Sequence, residues 1–228
     1  VVARLSGYVT RPPRPGPAPV WLVPGWVEAG RPSLAPVAAD ETVWIVREGG
    51  SPVAGALAER HPGAVVLELA AAAGVDPADP GAWAREVAAR PAPRRVYFLA
   101  GEPDPEADEL ARVRTAQERG VLALFRLVKA LQAQDRWVPG LVLRVVTRGL
   151  WAVDGALGRP HAAALAGLAA SLGREYPHVD CAAVDLPAGD LDAGAAATLA
   201  AAVVAEPAQR AGERVAWRGG RRFTFTLG

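Results

Sequence analysis

The tyrosines and the single lysine are the first residues to consider for chemistry. Protonation of a carbonyl oxygen in reductase chemistry uses a tyrosine whose pKa is lowered by a lysine four residues further on. The chain has three tyrosines, Tyr8, Tyr97 and Tyr176, and none has a lysine at that spacing. Its only lysine, Lys129, has Phe125 four residues before it. The sequence therefore predicts that this proton-transfer pair is missing.

Histidine and cysteine form no recognisable catalytic or metal pattern. His61, His161 and His178 lack the H-x-x-x-H or H-E-x-x-H spacing of a metal pair, so we favour surface or helix-capping positions for all three. Cys181 begins a predicted buried strand, where cysteine usually acts as a small apolar residue; a reactive thiol is the alternative. No G-x-S-x-G sequence marks a nucleophilic serine. We predict no catalytic residues and no metal ligands in this chain.

Five acidic residues between Glu102 and Glu109 form another candidate site. Carboxylates in such a run could hold a divalent cation. Prolines separate them and no histidine joins them, so we favour the start of a helix. Asp104 would be its N-cap and Pro105 its first residue, with the later acids in the first turn.

A glycine-rich turn, residues 47–55, follows the first predicted buried strand. Its sequence REGGSPVAG lacks the G-x-G-x-x-G spacing that lets a backbone approach a dinucleotide pyrophosphate. Pro52 removes a backbone donor, and Glu48 would repel phosphate. Cofactor binding at this turn is the less favoured alternative.

The elements that position these residues alternate along the chain. From Thr42 onward, short runs of β-branched residues alternate with alanine- and leucine-rich segments, which is typical of βαβ units on a parallel sheet. Predicted strands cover residues 42–47, 64–69, 94–100, 141–147 and 181–186. Predicted helices cover residues 52–60, 80–90, 105–134, 160–176 and 193–205. This order predicts an α/β fold with a doubly wound sheet of the Rossmann kind.

The C-terminal end is predicted to close the sheet with a β-hairpin. Val215 and Trp217 would face Phe223 and Phe225 across the glycine pair at 219–220. The sequence RGGRR at its tip could also be read as a nucleic-acid arm, but it is short and a hairpin explains it. We predict no nucleic-acid partner.

The N-terminal end contains two short extended segments, residues 1–10 and 20–28. The proline-rich stretch Arg11–Pro19 between them is interpreted as a stiff connector, with a polyproline ligand for a small recognition domain as the alternative. We assign residues 1–40 to N-terminal strands and their connection, packed on a main domain of residues 41–228.

Composition excludes several classes of protein. Hydrophobic residues make up 51% and charged residues 21% of 228 residues, which is the balance of a globular domain. The net charge of +1 gives no field to attract nucleic acid or an anionic membrane. No apolar run reaches the length of a membrane span, and one cysteine excludes an internal disulfide. We expect a soluble, cytoplasmic protein; the initial Val1 and the absence of methionine suggest a piece of a longer polypeptide.

One part of the sequence, Leu141–Pro187, resembles a known family. It contains Thr147-Arg148-Gly149 at the end of a strand, an alanine- and leucine-rich helix ending in Glu-Tyr-Pro at 175–177, and Val-Asp-Leu at 184–186. This order resembles the structural subdomain of modular polyketide synthase ketoreductases. The similarity extends from about Val20 to the C-terminus, since the tail of the family is similar to residues 213–227.

The resemblance implies a truncated, short-chain dehydrogenase-like Rossmann half that binds no cofactor. Such a half supports a second, catalytic ketoreductase half, which carries NADPH and the Ser-Tyr pair. Thr147 would lie where the catalytic half has its serine, and the alanines after His161 where it has its tyrosine. In modules with a C-methyltransferase, a similar half can persist as a pseudo-ketoreductase.

Four residues are candidates for structural or interface roles. Arg148 and Glu175, predicted in a loop and at a helix end, are expected to form polar ties within the half or to its partner. Asp185 is expected to fix the turn that leaves the fifth strand. Trp151 is expected either to anchor an interface with another domain or to pack in the core.

The sequence thus predicts a noncatalytic scaffold within a polyketide synthase. Its partners would be the catalytic ketoreductase subdomain and adjacent enoylreductase, dehydratase or methyltransferase domains. The alternative is a divergent NAD(P)-dependent short-chain reductase acting alone. A general interaction module using the N-terminal prolines and the hairpin overlaps with the scaffold interpretation.

Overall fold

The computed structural model describes residues 24–33, 40–70, 74–99, 107–153, 155, 158–209 and 213–227. They form one sheet of eight strands in the order β1-β8-β7-β6-β5-β4-β2-β3. The strands are β1 Pro24–Ala29, β2 Val43–Arg47, β3 Val65–Glu68, β4 Arg95–Leu99, β5 Val142–Arg148, β6 Asp180–Leu186, β7 Val215–Arg218 and β8 Arg221–Leu227. Strands β2 to β7 run parallel, whereas β8 is antiparallel to both of its neighbours, β7 and β1.

Helices cover both faces of the sheet. They are α1 Pro52–Arg60, α2 Pro80–Ala89, α3 Glu109–Ala116, α4 Ala123–Ala133, α5 Ala163–Glu175 and α6 Ala193–Ala205. A π-helical turn, Gln117–Leu122, joins α3 to α4, and a 3₁₀ turn, Pro160–Ala162, precedes α5. Side chains of Ser51, Asp79, Asp108 and Asp192 accept backbone hydrogen bonds at the starts of α1, α2, α3 and α6.

Two apolar layers hold the helices on the sheet. Trp44, Trp83 and Phe98 are buried in the layer that α2, α4 and α5 cover. Ile45 and Leu57 are buried in the layer under α1 and α6. Because successive strand residues point to opposite faces, each central strand contributes to both layers, which explains its nearly continuous apolar sequence.

The predicted α/β fold, a truncated Rossmann-like doubly wound sheet with a terminal hairpin, is confirmed. The central strands follow the order 2-1-3-4-5, in which the winding direction reverses between β2 and β4. Ligands of open α/β sheets bind outside the carboxyl ends of the strands at such a reversal. This edge is therefore the first place to look for a site.

The long helix differs from its prediction. Residues 100–106, with the expected cap Asp104, lie outside the described residues. The described helix begins at Glu109, and the Asp108 carboxylate caps it by accepting the amide hydrogen of Ala111 at 2.8 Å. The helix is also not continuous, because the π-helical turn inserts a wider loop of backbone between α3 and α4.

The hairpin is present, but its predicted side-chain pairing is wrong. Arg218 pairs with Arg221 across a two-glycine turn in which both glycines have positive φ. Val215 therefore lies opposite Thr224, and Phe223 lies opposite Ala216. The phenylalanines point to the other face of the sheet from Val215, because the side-chain period of a strand is two.

Part of the N-terminal prediction falls within the described residues. The extended segment predicted over residues 20–28 corresponds to β1, which pairs with β8 over six residue pairs at one edge of the sheet. Residues 1–10 and the connector Arg11–Pro19 lie outside the described residues.

Candidate functional site

The turn after β2 lies at the sheet edge where a dinucleotide would bind. Gly49 there has a φ of 62°, and the Ser51 hydroxyl caps α1 by accepting the amide hydrogen of Ala54 at 3.4 Å. A positive φ favours glycine, so the turn itself explains Gly49. The hydroxyl that could have faced a phosphate is used for the helix cap.

The Glu68 side chain occupies the remaining backbone donor of this turn, the Gly49 amide. Its carboxylate accepts the amide hydrogen of Gly49 at 2.6 Å and pairs with the Arg47 guanidinium at 2.9 Å. Glu48, next to the turn, forms an ion pair with Arg119 of the π-helical turn. The chain's own carboxylates thus occupy a backbone donor and two cations that a pyrophosphate would need.

The Asp185 carboxylate joins several segments at the same edge of the sheet. It is 1% exposed, and its carboxylate accepts four hydrogen bonds from residues on three segments. The donors are the Thr147 hydroxyl at 2.8 Å, the Leu150 and Trp151 amides at 2.9 and 3.0 Å, and the Arg218 guanidinium at 2.6 Å. Asp185 therefore fixes the loop after β5, whereas its expected role in the turn after its own strand stays a prediction.

Arg218 completes this buried cluster. Its guanidinium also donates to the carbonyl oxygens of Trp151 at 2.8 Å and of Asp185 at 3.2 Å. The two charges are paired, and each has several further hydrogen bonds, which is the condition for keeping ions in an interior. The Thr147 hydroxyl is 1% exposed and donates to Asp185, so it is closed to a substrate in this structure.

Arg148 and Glu175 have different environments. Arg148 donates to the carbonyl oxygens of Pro187 and Gly189, which ties the end of β5 to the turn after β6. Glu175 is the last residue of α5 and is exposed, with no polar partner among the described residues. The structure brings Arg148, Trp151 and Asp185 to one edge and leaves Glu175 at the far end of α5.

Trp151 is partly buried in an aromatic cluster. Its ring centroid lies 6.2 Å from that of Trp26, which in turn lies 5.6 Å from Phe225. The Arg214 guanidinium lies 5.0 Å from the Trp151 ring and 4.6 Å from the Phe225 ring. Trp151 therefore joins the loop after β5 to the outer strands β1 and β8.

The histidines and the cysteine do not form a site. His61 follows α1 and its amide caps that helix, but it is buried and not on the surface; its ring nitrogen lies 3.0 Å from the Tyr97 hydroxyl. Burial, with the nearby Arg95, lowers the pKa of His61, and burial raises the pKa of Tyr97 to about 12. Burial also raises the pKa of Cys181 to about 12, which makes its thiolate scarce at neutral pH.

No group of side chains within the described parts of the chain could hold a metal ion. Likewise, no described helix is long and apolar enough to cross a membrane.

An exposed apolar stripe runs along α3, the π-helical turn and α4. It comprises Leu110, Val113, Leu122 and Phe125, which are 57%, 38%, 39% and 51% exposed. On a continuous α-helix, at about 100° per residue, these four positions would spread over about half of the circumference. The π-helical turn absorbs one residue, which rotates the second pair back by about 100° and brings all four within about 80°.

Two residues at this edge of the sheet, Glu68 and Arg218, were not predicted from the sequence to take part in its contacts. Glu68 ends the strand after the glycine turn, about 20 residues on, where an acidic residue of a dinucleotide fold is expected, so its position was a usable signal. Arg218 pairs with an aspartate 33 residues earlier in the chain, and nothing local distinguishes it from the neighbouring arginines of the hairpin.

Comparison with known proteins gives a likeness in structure alone. No protein-family model matches the chain, and no curated protein matches its sequence. Solved structures do match. The "Structure of A-type Ketoreductases from Modular Polyketide Synthase" has a TM-score of 0.62 and 23% identity, and covers 91% of this chain and 42% of that chain.

Two further structures extend this comparison. The adenylation, ketoreductase and pseudo Asub multidomain structure of a keto acid-selecting NRPS module has a TM-score of 0.69, with 15% identity over 92% of this chain and 18% of that one. A small-chain dehydrogenase has a TM-score of 0.58, with 17% identity over 79% of this chain and 98% of that one. The fold is thus similar to those of ketoreductases and small-chain dehydrogenases. The chain spans less than half of the length of the ketoreductase structure.

Proposed function

We propose that this chain is a noncatalytic structural subdomain of a polyketide synthase ketoreductase. It supports the catalytic ketoreductase half and neighbouring enoylreductase, dehydratase or methyltransferase domains in polyketide biosynthesis. The apolar stripe carries this proposal, because an exposed apolar surface of this kind is typical of an interface with a partner. The partner half, and not this chain, supplies the NADPH site and the catalytic residues.

The closed sheet edge supports the noncatalytic part of the proposal. A pyrophosphate at the β2 turn would have to displace the Glu68 carboxylate from the Gly49 amide and would meet Glu48 beside it. The Thr147 hydroxyl would not be available to a carbonyl substrate, because it donates to the buried Asp185 carboxylate. Opening either contact would cost a charge-assisted hydrogen bond, although Glu68 would keep its pair with Arg47 and Asp185 its pair with Arg218.

The stripe supports the scaffolding part. Its four side chains lie within about 80° of one another along α3, the π-helical turn and α4, an arrangement that suits packing against helices of another domain. Burial of one large apolar side chain contributes about 1.5–3 kcal/mol, and attachment within one polypeptide raises the effective concentration of the partner.

Association with the catalytic half tests the proposal. The chain is mixed with the catalytic ketoreductase subdomain of its own synthase, and the complex is measured by analytical ultracentrifugation. We expect Phe125→Ser to weaken the complex by about tenfold or more. Val66→Ser is the matched control, since Val66 is an exposed apolar residue on β3, away from the stripe, and should leave affinity unchanged. Equal affinities for wild type and Phe125→Ser would overturn the proposal.

A freestanding reductase is the second candidate, and one observation favours it. The small-chain dehydrogenase that this fold resembles is matched over 98% of its length, so a fold of this extent occurs as a whole chain. NADPH titration by fluorescence separates the two functions. The scaffold predicts no binding by the isolated chain, whereas micromolar affinity would establish the reductase instead.

A further inference from the structure

A cavity of about 350 Å³ lies beside α6, on the face of the sheet that α1 and α6 cover. Pro32 and the buried Trp217 form part of its apolar lining. The rest of that lining is one side of α6, which contributes the small residues Ala197, Thr198, Ala201, Ala202 and Ala205. A cavity of this size suits a small ligand.

Two guanidinium groups, those of Arg31 and Arg60, also line the cavity, and no described carboxylate does. Both arginines are exposed, and neither forms an ion pair with an acidic residue in the described ranges. Each donates to one backbone carbonyl oxygen, Arg31 to that of Gly220 and Arg60 to that of Ala197 at 3.4 Å. Because a guanidinium has five N–H donors, most donors of both side chains have no acceptor in the described part of the chain.

The Arg31 side chain is held in place at the cavity. Its guanidinium carbon lies 5.8 Å from the centroid of the Trp217 ring, which is within the range of a cation–π contact. The hydrogen bond to the Gly220 carbonyl oxygen fixes the same group from its other side. A cation that is already positioned loses less conformational entropy when it binds an anion.

The α6 side of the cavity is free of charge. The sequence of this helix, AGAAATLAAAVVA, contains no charged residue, although an outer helix of a globular protein usually exposes a charged or polar face. A wall of alanines therefore adjoins two cations that lack an anion. The cations favour a negatively charged group, and the alanines favour an apolar one.

We propose that this cavity binds a small organic anion, in which a carboxylate or phosphate is joined to a compact apolar group. The guanidinium groups of Arg31 and Arg60 hold the anion, since their planar donor pairs match the oxygens of both carboxylate and phosphate. The apolar group packs on the alanines of α6 beside Trp217. The cavity shares no residue with the apolar stripe or with the turn after β2, so this inference is independent of the proposed function.

Titration of the full chain with benzoate and with phenyl phosphate tests the proposal. The indole N–H signals of ¹⁵N-labelled tryptophan report binding, and the Trp217 signal is identified by its loss in Trp217→Phe. We expect both anions to shift the Trp217 signal in a saturable way, with a Kd on the order of millimolar or tighter, and to leave that of Trp83, on the other face of the sheet, unchanged. The absence of a saturable shift with both anions would overturn the proposal.

Benzamide tests whether the negative charge is recognised, because it has nearly the shape of benzoate but is neutral. It should bind at least about tenfold more weakly than benzoate does. Equal affinities for the two compounds would show that the cavity recognises the ring alone, and would also overturn the proposal.

Removal of one cation identifies the groups that bind the anion. Arg60→Gln should weaken the binding of both anions by about tenfold or more, because a charge-assisted interaction is lost. Arg94→Gln is the matched control, since Arg94 is also exposed and donates to a backbone carbonyl oxygen, that of Pro139, at 3.4 Å. It changes the net charge equally and should leave both affinities unchanged. Equal affinities of the two variants would contradict a role for Arg60.

A second pair of variants locates the apolar group of the ligand. Ala201→Phe fills the cavity without removing either cation, and should lower the affinity for benzoate by about tenfold or more. Ala193→Phe, at an exposed position of the same helix outside the lining, is the control and should bind benzoate as wild type does. Inorganic phosphate, which has no apolar group, should bind the wild-type chain more weakly than phenyl phosphate. Unchanged benzoate binding in Ala201→Phe, or equal affinities for the two phosphates, would refute packing on α6.

Discussion

The Glu68 carboxylate accepts the amide hydrogen of Gly49 at 2.6 Å, across the turn where a dinucleotide fold would hold a pyrophosphate. A carboxylate and a phosphate compete for the same donor, and the carboxylate is part of the chain. Together with the Arg47 pair at 2.9 Å, this contact stabilises the turn without a ligand. The φ of 62° at Gly49 serves the conformation of the turn itself.

Loss of the Asp185 charge should destabilise the fold strongly. In Asp185→Asn, the Arg218 guanidinium would remain buried without its anion, which costs about 3–5 kcal/mol. Glu28→Gln, in the exposed pair with Arg221, is the control and should change stability by less than about 1 kcal/mol. Urea unfolding followed by tryptophan fluorescence measures both. Similar midpoints for the two variants would contradict a structural role for Asp185.

His61 should make stability depend on pH. Burial lowers its pKa below the ordinary value of 6.5, so the unfolded chain takes up a proton at a higher pH than the folded chain does. Stability from this source is complete above about pH 6.5 and is lost as pH falls toward the folded pKa.

His61→Gln tests this dependence, because glutamine can still reach Tyr97 but does not titrate. The urea midpoint of this variant should fall less than that of wild type between pH 7.5 and 5.5. His178→Gln, at an exposed position, serves as control and should follow wild type. The interpretation fails if the urea midpoints of wild type and both variants change with pH by the same amount.

Gly149 should tolerate no side chain. Its φ is 64°, and a Cβ there would lie 2.7 Å from the Cβ of Ala188. Gly63 has a φ of 90° with open space around it, so Gly63→Ala reports the backbone strain alone, about 1–2 kcal/mol. We expect Gly149→Ala to lower the free energy of unfolding by at least about 1 kcal/mol more. Equal effects of the two substitutions would show that the contact with Ala188 is relieved at little cost.

Cys181 should be chemically silent in the folded chain. Burial raises its pKa to about 12, and its sulfur donates to the Ala169 carbonyl oxygen at 3.3 Å. Reaction with an aromatic disulfide reagent at pH 8 should be slow in buffer and rapid in denaturant. Rapid modification of the native chain would indicate that β6 opens locally.

Elements with strong local signals were predicted closely. Helices over Pro52–Arg60 and Ala193–Ala205 have their predicted bounds, since each begins after a capping side chain and carries many alanines. The buried strands were found within two residues, because a parallel sheet covered on both faces requires short, nearly continuous apolar runs.

Features that depend on distant residues were not predictable in this way. The buried pair of Arg222 and Glu206, at 2.6 Å, and the contact of Arg144 with the Glu206 carbonyl oxygen join separate elements under α6. Their sequences contain only ordinary charged residues. The π-helical turn was missed for a different reason, because a single Gly120 in Gln117–Leu122 does not distinguish a wider turn from a regular helix in the sequence.

The π-helical turn makes the apolar stripe sensitive to a change in length and not only to a change in residue type. Deleting one residue, such as Gly120, would allow α3 and α4 to merge into a regular helix and would rotate Leu110 and Val113 by about 100° away from Leu122 and Phe125. All four apolar residues would still be present in the sequence, but they would no longer share one side of the helix. Among related chains, a one-residue gap at this turn would therefore change the shape of the exposed apolar surface while leaving its amino-acid composition the same.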